Sequence, residues 1–280
     1  MPAKKRHRIS RSRQIVIDLM YFSASFPLIA IERSMHLGDL ETARRRDPHT
    51  LPWSALFAKA FALAAEEFAA LRQSYFKFPV PHFYEFEESM ATIAHELSVG
   101  GEASVLPIRI RSPDKMSLNA IRSKIVEMAD ADLWHRRFYR TLAAVSQLPF
   151  FLRRPLWWIA LNIPRSRKRY FGTFAITSVG TLGADLLTPR APVTSLLTYG
   201  PLDNDGTLRV RLLFDHRVYD GATAARVLAR LEELLLGPIH DEIKPVTSTL
   251  SGNDPSPSEL ACAATSIAPA PAVSMSRPFR

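Results

Sequence analysis

The hydrophobic pattern of the chain changes its period near residue 215. Val210, Leu212 and Phe214 alternate with Arg209 and Arg211, and this two-residue period indicates a β-strand. From Ala222 onward the apolar residues recur at helical spacing, at Val227, Leu228, Leu231 and Leu235. The sequence therefore predicts a strand, a short junction and a helix, with His216 in the junction.

The same patterns predict elements further upstream. The segment from Pro52 to Leu71 carries apolar residues at helical spacing and indicates a core helix. Alternation indicates strands at Phe83–Phe86, Met90–Glu96 and Val105–Arg111, and a second amphipathic helix is predicted over Ser117–Ala131.

The junction around His216 has the character of a catalytic corner. A histidine between a strand and a helix is held by rigid elements on both sides, as a general base must be. Gly221 is expected to let the chain turn tightly, and Asp220 stands where an acidic residue favours the start of a helix. A structural histidine beside a helix-capping aspartate is the competing interpretation.

The spacing Asp215-His216-Arg217-x-x-Asp220-Gly221 resembles the signature of the catalytic domain of 2-oxoacid dehydrogenase acyltransferases. These are the dihydrolipoamide acyltransferases, whose wider superfamily includes chloramphenicol acetyltransferase. Other runs resemble the same domain in the same order, from about Arg11 to about Ile243: Lys59–Ala64, Val105–Arg109, Lys115–Leu118, Phe171–Gly183, Ala191–Pro192 and Leu196–Gly200. The segments 15–28 and 37–46 are similar to its first helix with the following strand, and to its next helix.

The resemblance implies a fold and a mechanism. The fold is an α/β (α+β) two-layer sandwich with a mixed sheet, assembled as a homotrimer. His216 would act as the general base. Thr177 takes the position of a serine whose hydroxyl faces the oxyanion, and it would come from the neighbouring subunit. Coenzyme A and its acyl thioester would be substrates, and no metal is expected.

The remaining site residues receive supporting roles from the resemblance. Ser178 is the adjacent substitute for Thr177, and it is grouped with Gly180 as substrate-binding. Asp220 would hold the site together by a hydrogen bond or an ion pair, with Arg13 as its candidate partner. Asp215, Arg217 and Gly221 would be structural neighbours of the site.

Composition is consistent with one large folded domain. The chain has 280 residues, of which 47% are hydrophobic, enough to bury a substantial core. We expect a basic arm at residues 1–13, a catalytic domain at 14–243 and a disordered Pro/Ala/Ser-rich tail at 244–280. The single cysteine, Cys262, excludes an internal disulfide, and no signal peptide is visible, so a cytoplasmic location is expected.

A basic aromatic segment departs from the family pattern. Nine basic and no acidic residues fall between Leu133 and Ala184, which equals the net charge of +9 of the whole chain. We interpret 148–169, within this segment, as an insertion. It could lie on an anionic membrane surface, dock an acidic partner such as a carrier domain, or pack against its own trimer mates.

Partners and function follow from what the resemblance covers. The basic arm could contact nucleic acid, but a solvated tail is favoured because no binding fold accompanies it. The resemblance begins near Arg11, so we expect a free-standing catalytic domain that uses a lipoyl or acyl carrier protein in trans. The alternative is a catalytically weak scaffold or assembly subunit, peripheral at a membrane.

Overall fold

The computed structural model describes residues 9–47, 50–99, 102–130 and 137–243. The helices are α1 (Arg11–Ser23), α2 (Gly38–Arg46), α3 (Trp53–Glu67), α4 (Leu118–Asp130), α5 (Arg137–Gln147), α6 (Phe150–Asn162), α7 (Pro164–Phe171), α8 (Gly221–Leu234) and α9 (His240–Ile243). The strands are β1 (Leu28–His36), β2 (Gln73–Phe76), β3 (His82–Glu85), β4 (Met90–Val99), β5 (Glu102–Arg111), β6 (Phe174–Thr177), β7 (Ser195–Leu202) and β8 (Thr207–Asp215). The predicted tail and Cys262 lie outside the described residues.

Six strands form one mixed sheet in the order β1-β8-β7-β6-β4-β5, and β2 pairs separately with β3. Strand β6 runs parallel to both of its neighbours, whereas the other pairs are antiparallel. Two parallel neighbours need a long crossover connection, and residues 178–194 supply it between β6 and β7. The predicted α/β class with a mixed sheet is confirmed.

The main core lies between one face of this sheet and helices α3 and α8. Phe61 stacks on Phe174 with ring centres 4.4 Å apart, and Phe57 stacks on Tyr199 at 4.8 Å. The predicted apolar stripe of α8, including Val227 and Leu231, is fully buried. Burial of each such side chain contributes about 1.5 to 3 kcal/mol of transfer free energy. The core between the sheet and helices α3 and α8 therefore makes the largest hydrophobic contribution to folding.

Helices α1, α5, α6 and α7 lie on the second face of the sheet. Tyr139 of α5 donates its hydroxyl to the Pro107 carbonyl at 2.7 Å, and Trp157 of α6 packs against Phe22 and Phe171. Asp18 Oδ2 and Arg153 Nε, 2.5 Å apart, join α1 to α6. Burial raises the pKa of Asp18, and the Arg153 guanidinium opposes that rise. The basic aromatic segment, which contains α5, α6 and α7, is therefore packed into the fold of its own chain.

One side of α6 remains uncovered in the single chain. Phe150, Phe151 and Trp158 are exposed there, and the Arg154 guanidinium lies over the rings of Tyr21 and Phe150. The membrane, the acidic partner and the trimer neighbour all stay predictions for this surface. Among the described residues, no helix has both the length and the apolar character needed to cross a bilayer.

The predicted elements from residue 37 to 130 form as expected, with two differences. Strand β2 was not predicted, and α3 is shorter than expected because Phe68 takes an extended conformation after Glu67. Helix α1 begins at Arg11, where Ser10 Oγ accepts the Arg13 amide at 3.4 Å. The helix thus includes the last residues assigned to the basic arm, whereas residues 1–8 lie outside the described part.

Gly172, between α7 and β6, has a backbone conformation that only glycine adopts freely. Its φ and ψ are 80° and −175°, and an added Cβ would lie 2.5 Å from Thr92 Oγ1 and 2.6 Å from the Met90 carbonyl. We expect Gly172→Ala to lower the free energy of unfolding by about 2 to 4 kcal/mol, because strain and a backbone clash add together. Denaturant melts measure this loss.

Gly183 provides the matched control for that substitution. It also has a positive φ, 71°, but an added Cβ meets nothing within 4 Å. Gly183→Ala should therefore cost only the conformational part, about 1 to 2 kcal/mol. Equal losses in the two variants would show that the close approach of Gly172 to β4 is unimportant.

Candidate active site

The corner that carries His216 is fixed on both sides. Strand β8 ends at Asp215, whose amide donates to the Thr194 carbonyl at 2.8 Å, and its carbonyl accepts the Val218 amide at 2.9 Å. His216 itself is exposed, with its ring centre 5.7 Å from that of Phe214. The backbone is therefore held while the imidazole remains accessible, as proton transfer to a substrate requires.

An ion pair between the buried Asp215 and the partly exposed side chain of Arg217 stabilises this corner. Asp215 is fully buried, and Arg217 contacts both of its carboxylate oxygens, from Nε at 2.9 Å and from Nη2 at 2.6 Å. The Arg217 amide also donates to Asp215 Oδ1 at 3.0 Å. The guanidinium lies over the rings of Tyr75 and Phe26. These contacts close a loop around His216 and support the structural roles expected for Asp215 and Arg217.

Arg167 of α7 is a buried cation near Asp215, and its role was not recognised in the sequence. Its side chain donates to the Tyr75 carbonyl at 3.0 Å and packs on Phe26 and Phe76. Burial lowers the pKa of Arg167 to about 10, and the Asp215 carboxylate opposes that fall. The basic aromatic segment therefore places a positive charge near the histidine corner.

Asp220 caps helix α8. Its carboxylate accepts the Thr223 amide at 2.7 Å, which holds the pKa of Asp220 below its ordinary value, with smaller contributions from Arg226 and His216. Among the described residues the structure shows no ion pair between Asp220 and Arg13, so that pairing stays a prediction. Arg13 instead lines an apolar cavity on the second face of the sheet, which Thr177 also lines.

Gly221 does not make the tight turn expected of it. It is the first residue of α8, its φ is not positive, and an added Cβ would meet nothing within 4 Å. The expected role in turning the chain is therefore wrong. The turn is made by residues 215–219, where the Asp215 carbonyl accepts from Val218 and Tyr219.

Thr177 lies at the end of β6, partly exposed, on the same sheet face as Ala175. In the register of the sheet it pairs with Thr198 of β7. Thr198 is buried, and its hydroxyl has no hydrogen-bond partner within the described part of the chain. Sequence reasoning did not single out Thr198, because a threonine in a strand is unremarkable until its hydroxyl is seen to lack a partner.

Ser178 and Gly180 have structural contacts in this chain. Ser178 Oγ donates to the Tyr199 carbonyl at 2.7 Å and accepts the Gly180 amide at 3.0 Å. A Cβ on Gly180 would lie 2.5 Å from the Gly200 carbonyl oxygen. The Ser178 proton is thus already engaged, which favours Thr177 as the hydroxyl that faces a substrate.

His216 and Thr177 do not meet within one chain. Phe214, Ser195 and Phe174 stand in register across β8, β7 and β6. His216 lies beyond that line at one end and Thr177 at the other, so they are separated by roughly 16 Å along the strands and roughly 10 Å across them. The two candidate half-sites, at His216 and at Thr177, therefore lie at opposite ends of the sheet of one chain.

No cluster of metal-binding side chains occurs among the described residues.

Replacing Arg217 by methionine tests how the histidine corner is held. The change leaves Asp215 buried with only Arg167 nearby, and we expect it to lower the free energy of unfolding by about 2 to 4 kcal/mol. Arg217→Lys keeps the charge but loses the two-pronged contact, so its loss should be smaller. If thermal denaturation shows no loss for Arg217→Met, the ion pair does not stabilise the corner.

Comparison with known proteins places the fold. No protein-family model matches the sequence, and no curated protein matches it. Among solved structures, the chain is similar to the Azotobacter vinelandii dihydrolipoamide acetyltransferase, with a TM-score of 0.63 and 21% identity over 86% of this chain and 94% of the other. A probable dihydrolipoamide acetyltransferase from Listeria monocytogenes gives a TM-score of 0.60 and 17% identity over 89% and 100% of the two chains.

A third similar structure comes from a 2-oxoacid dehydrogenase complex. It is a truncated catalytic core from Thermoplasma acidophilum, with a TM-score of 0.60 and 18% identity over 84% of this chain and 99% of that one. At such identities the likeness establishes the fold. The protein thus has the fold of the catalytic cores of dihydrolipoamide acyltransferases, as the motifs around His216 and Thr177 had indicated.

Proposed function

We propose that the protein is a coenzyme A-dependent acyltransferase that works as a homotrimer. The observation that carries the proposal is an exposed imidazole, His216, at a corner of an acyltransferase-core fold that is held by the ion pair between the buried Asp215 and Arg217. The Azotobacter structure was solved to study a serine, a histidine and an asparagine in catalysis, the last two four positions apart. His216 and Asp220 have the same spacing, with an aspartate in place of the asparagine.

The reaction is acyl exchange between two thiols. His216 takes the proton from the incoming thiol, and the thiolate attacks the carbonyl carbon of the acyl thioester. A new carbon–sulfur bond forms while the carbonyl electron pair moves to oxygen. When that pair returns, the bond to the coenzyme A sulfur breaks, and His216 returns the proton to the departing thiolate.

Thr177 stabilises the intermediate of this exchange. Its hydroxyl donates a hydrogen bond to the oxyanion, where the negative charge develops. Because His216 and Thr177 stand at opposite ends of one sheet, the Thr177 that serves a given His216 belongs to a neighbouring protomer. A closed symmetric ring repeats this contact at every interface, which is why the mechanism requires the oligomer.

The acceptor is a dihydrolipoyl-type thiol carried by another protein. The three similar structures are named as dihydrolipoamide acetyltransferases or as a 2-oxoacid dehydrogenase core, which supports this acceptor class. An acyl carrier protein in trans would present a thiol of the same chemistry.

Substitutions at the two half-sites test the reaction. With acyl-coenzyme A and dihydrolipoamide, we expect His216→Ala to lower kcat by roughly 10²- to 10⁴-fold, because the base is lost. Thr177→Val should lower it by roughly 10²- to 10³-fold, and Thr177→Ser, which keeps the hydroxyl, should stay close to wild type. Release of the free coenzyme A thiol measures the rate.

His240→Ala is the matched histidine control, since this side chain lies on α9 away from the half-sites. Thr198→Val tests whether the unpartnered hydroxyl beside Thr177 contributes. If the wild type transfers no acyl group across a panel of donors, the scaffold alternative gains support and the enzyme proposal fails.

Mixing the two inactive variants tests whether the half-sites join across a subunit contact. In trimers reassembled from equal amounts of His216→Ala and Thr177→Val protomers, an intact His216 stands beside an intact Thr177 at about one interface in four. We therefore expect recovery of about a quarter of wild-type activity. Activity that stays at the level of the separate variants would place both residues in a single-chain site, or neither in a site.

A further inference from the structure

An apolar cavity of about 920 Å³ lies between the second face of the sheet and helices α1, α5, α6 and α7. Ala94, Ala175 and Leu196 line it from the sheet, and Leu19, Leu142 and Leu156 line it from the helices. This volume is near the upper end of ligand pockets, which span roughly 300–1,000 Å³. An acetyl group, with one methyl carbon, would leave most of it empty.

The cavity exists because small side chains of the sheet face large ones of the helices. Ala94 and Ala175 fill little of the space beneath α5 and α6, whereas the ties from Tyr139 to β5 and from Asp18 to Arg153 keep the helices in place. Packed protein interiors contain few voids larger than a water molecule. A void of this size on the face that carries Thr177 therefore indicates a binding site.

The charges of the lining specify the class of ligand. Its charged residues, Arg13, Glu96 and Arg190, are all exposed and mark where the cavity meets solvent. The inner lining is apolar, which favours an uncharged hydrocarbon over a polar group. A molecule that fits has an apolar chain inside and a polar or charged head outside.

Thr177 connects this cavity to the proposed chemistry. It lines the cavity, and because Ile93 pairs with Ile176, Ala94 and Thr177 are neighbours on adjacent strands. A thioester whose carbonyl oxygen accepts from Thr177 would therefore have its acyl chain next to the cavity opening.

We propose that this cavity binds the acyl chain of the substrate and selects apolar chains of roughly eight to twelve carbons, a size suited to a pocket of this volume. The inference rests on the proposed transfer reaction for its substrate class. The protomer that supplies Thr177 also holds the chain, while the neighbouring protomer supplies His216. Three of the four helices that line the cavity, α5, α6 and α7, belong to the basic aromatic segment, so this segment determines specificity.

Binding of non-transferable thioethers tests the site without requiring catalysis. Each buried methylene is worth about a fourfold change in affinity, so S-octyl coenzyme A should bind at least about 100-fold more tightly than S-ethyl coenzyme A. Calorimetry measures both. His216→Ala should leave this ratio unchanged, because His216 does not line the cavity.

Filling the cavity tests its location. Ala160 lines it from α6, and Ala160→Phe should lower the octyl-to-ethyl affinity ratio at least tenfold, with S-ethyl binding within twofold of wild type. Leu142→Trp fills it from α5 and serves if the first variant does not fold. Ala225→Phe, at an exposed position of α8, is the matched control and should change neither affinity.

The outcomes separate this inference from the proposed reaction. The acyl-chain site is overturned if the octyl-to-ethyl affinity ratio of the wild type is below about threefold, as would be seen if a neighbouring protomer filled the cavity. It is also overturned if the ratio is large and neither cavity variant reduces it. A graded ratio without transfer from acetyl- or octanoyl-coenzyme A leaves the chain site standing and rejects the transfer reaction.

Discussion

The directions of three adjacent strands, β6, β7 and β8, determine where Thr177 and His216 lie in the molecule. Strand β8 runs antiparallel to β7, and β6 runs parallel to it, so the carboxyl ends of β6 and β8 point to opposite ends of the sheet. The register cannot slip by one residue without turning Leu212 and Phe214 out of the core. Thr177 and His216 are thus kept at opposite ends of one sheet by the same hydrogen bonds that hold the sheet together, and the proposed reaction needs a second copy to bring them together.

Different forces position the two half-sites. The histidine corner depends on buried electrostatics, with Asp215 between two guanidinium groups whose faces are covered by aromatic rings. The threonine strand depends on close backbone packing, in which Gly172 allows β6 to begin directly against β4. The histidine corner is therefore rigid although His216 is exposed. Strand β6 is short, but its pairing with β4 and β7 fixes its position on both edges.

The sequence revealed the parts of this arrangement that depend on local periodicity. The change of period around His216 predicted β8 and α8. The burial of Arg167 was not predicted, because an arginine in a basic run is expected at the surface. Gly221 was misread because a glycine before a helix also suits a turn. The cavity was not predicted from the sequence. Its volume depends on the distance of α5 and α6 from Ala94 and Ala175, and the hydrophobic periodicity of a sequence carries no information about distances between elements.

Helix α7 contacts the surroundings of both candidate half-sites. Its Arg167 lies near Asp215 at the histidine corner, and the carbonyl of its last residue, Phe171, accepts a hydrogen bond from the Thr92 hydroxyl at 2.8 Å just before the chain enters β6. Removal of α7 would take away the buried cation near Asp215 and the carbonyl that holds Thr92 of β4, so the geometry around both His216 and Thr177 depends on this one short helix.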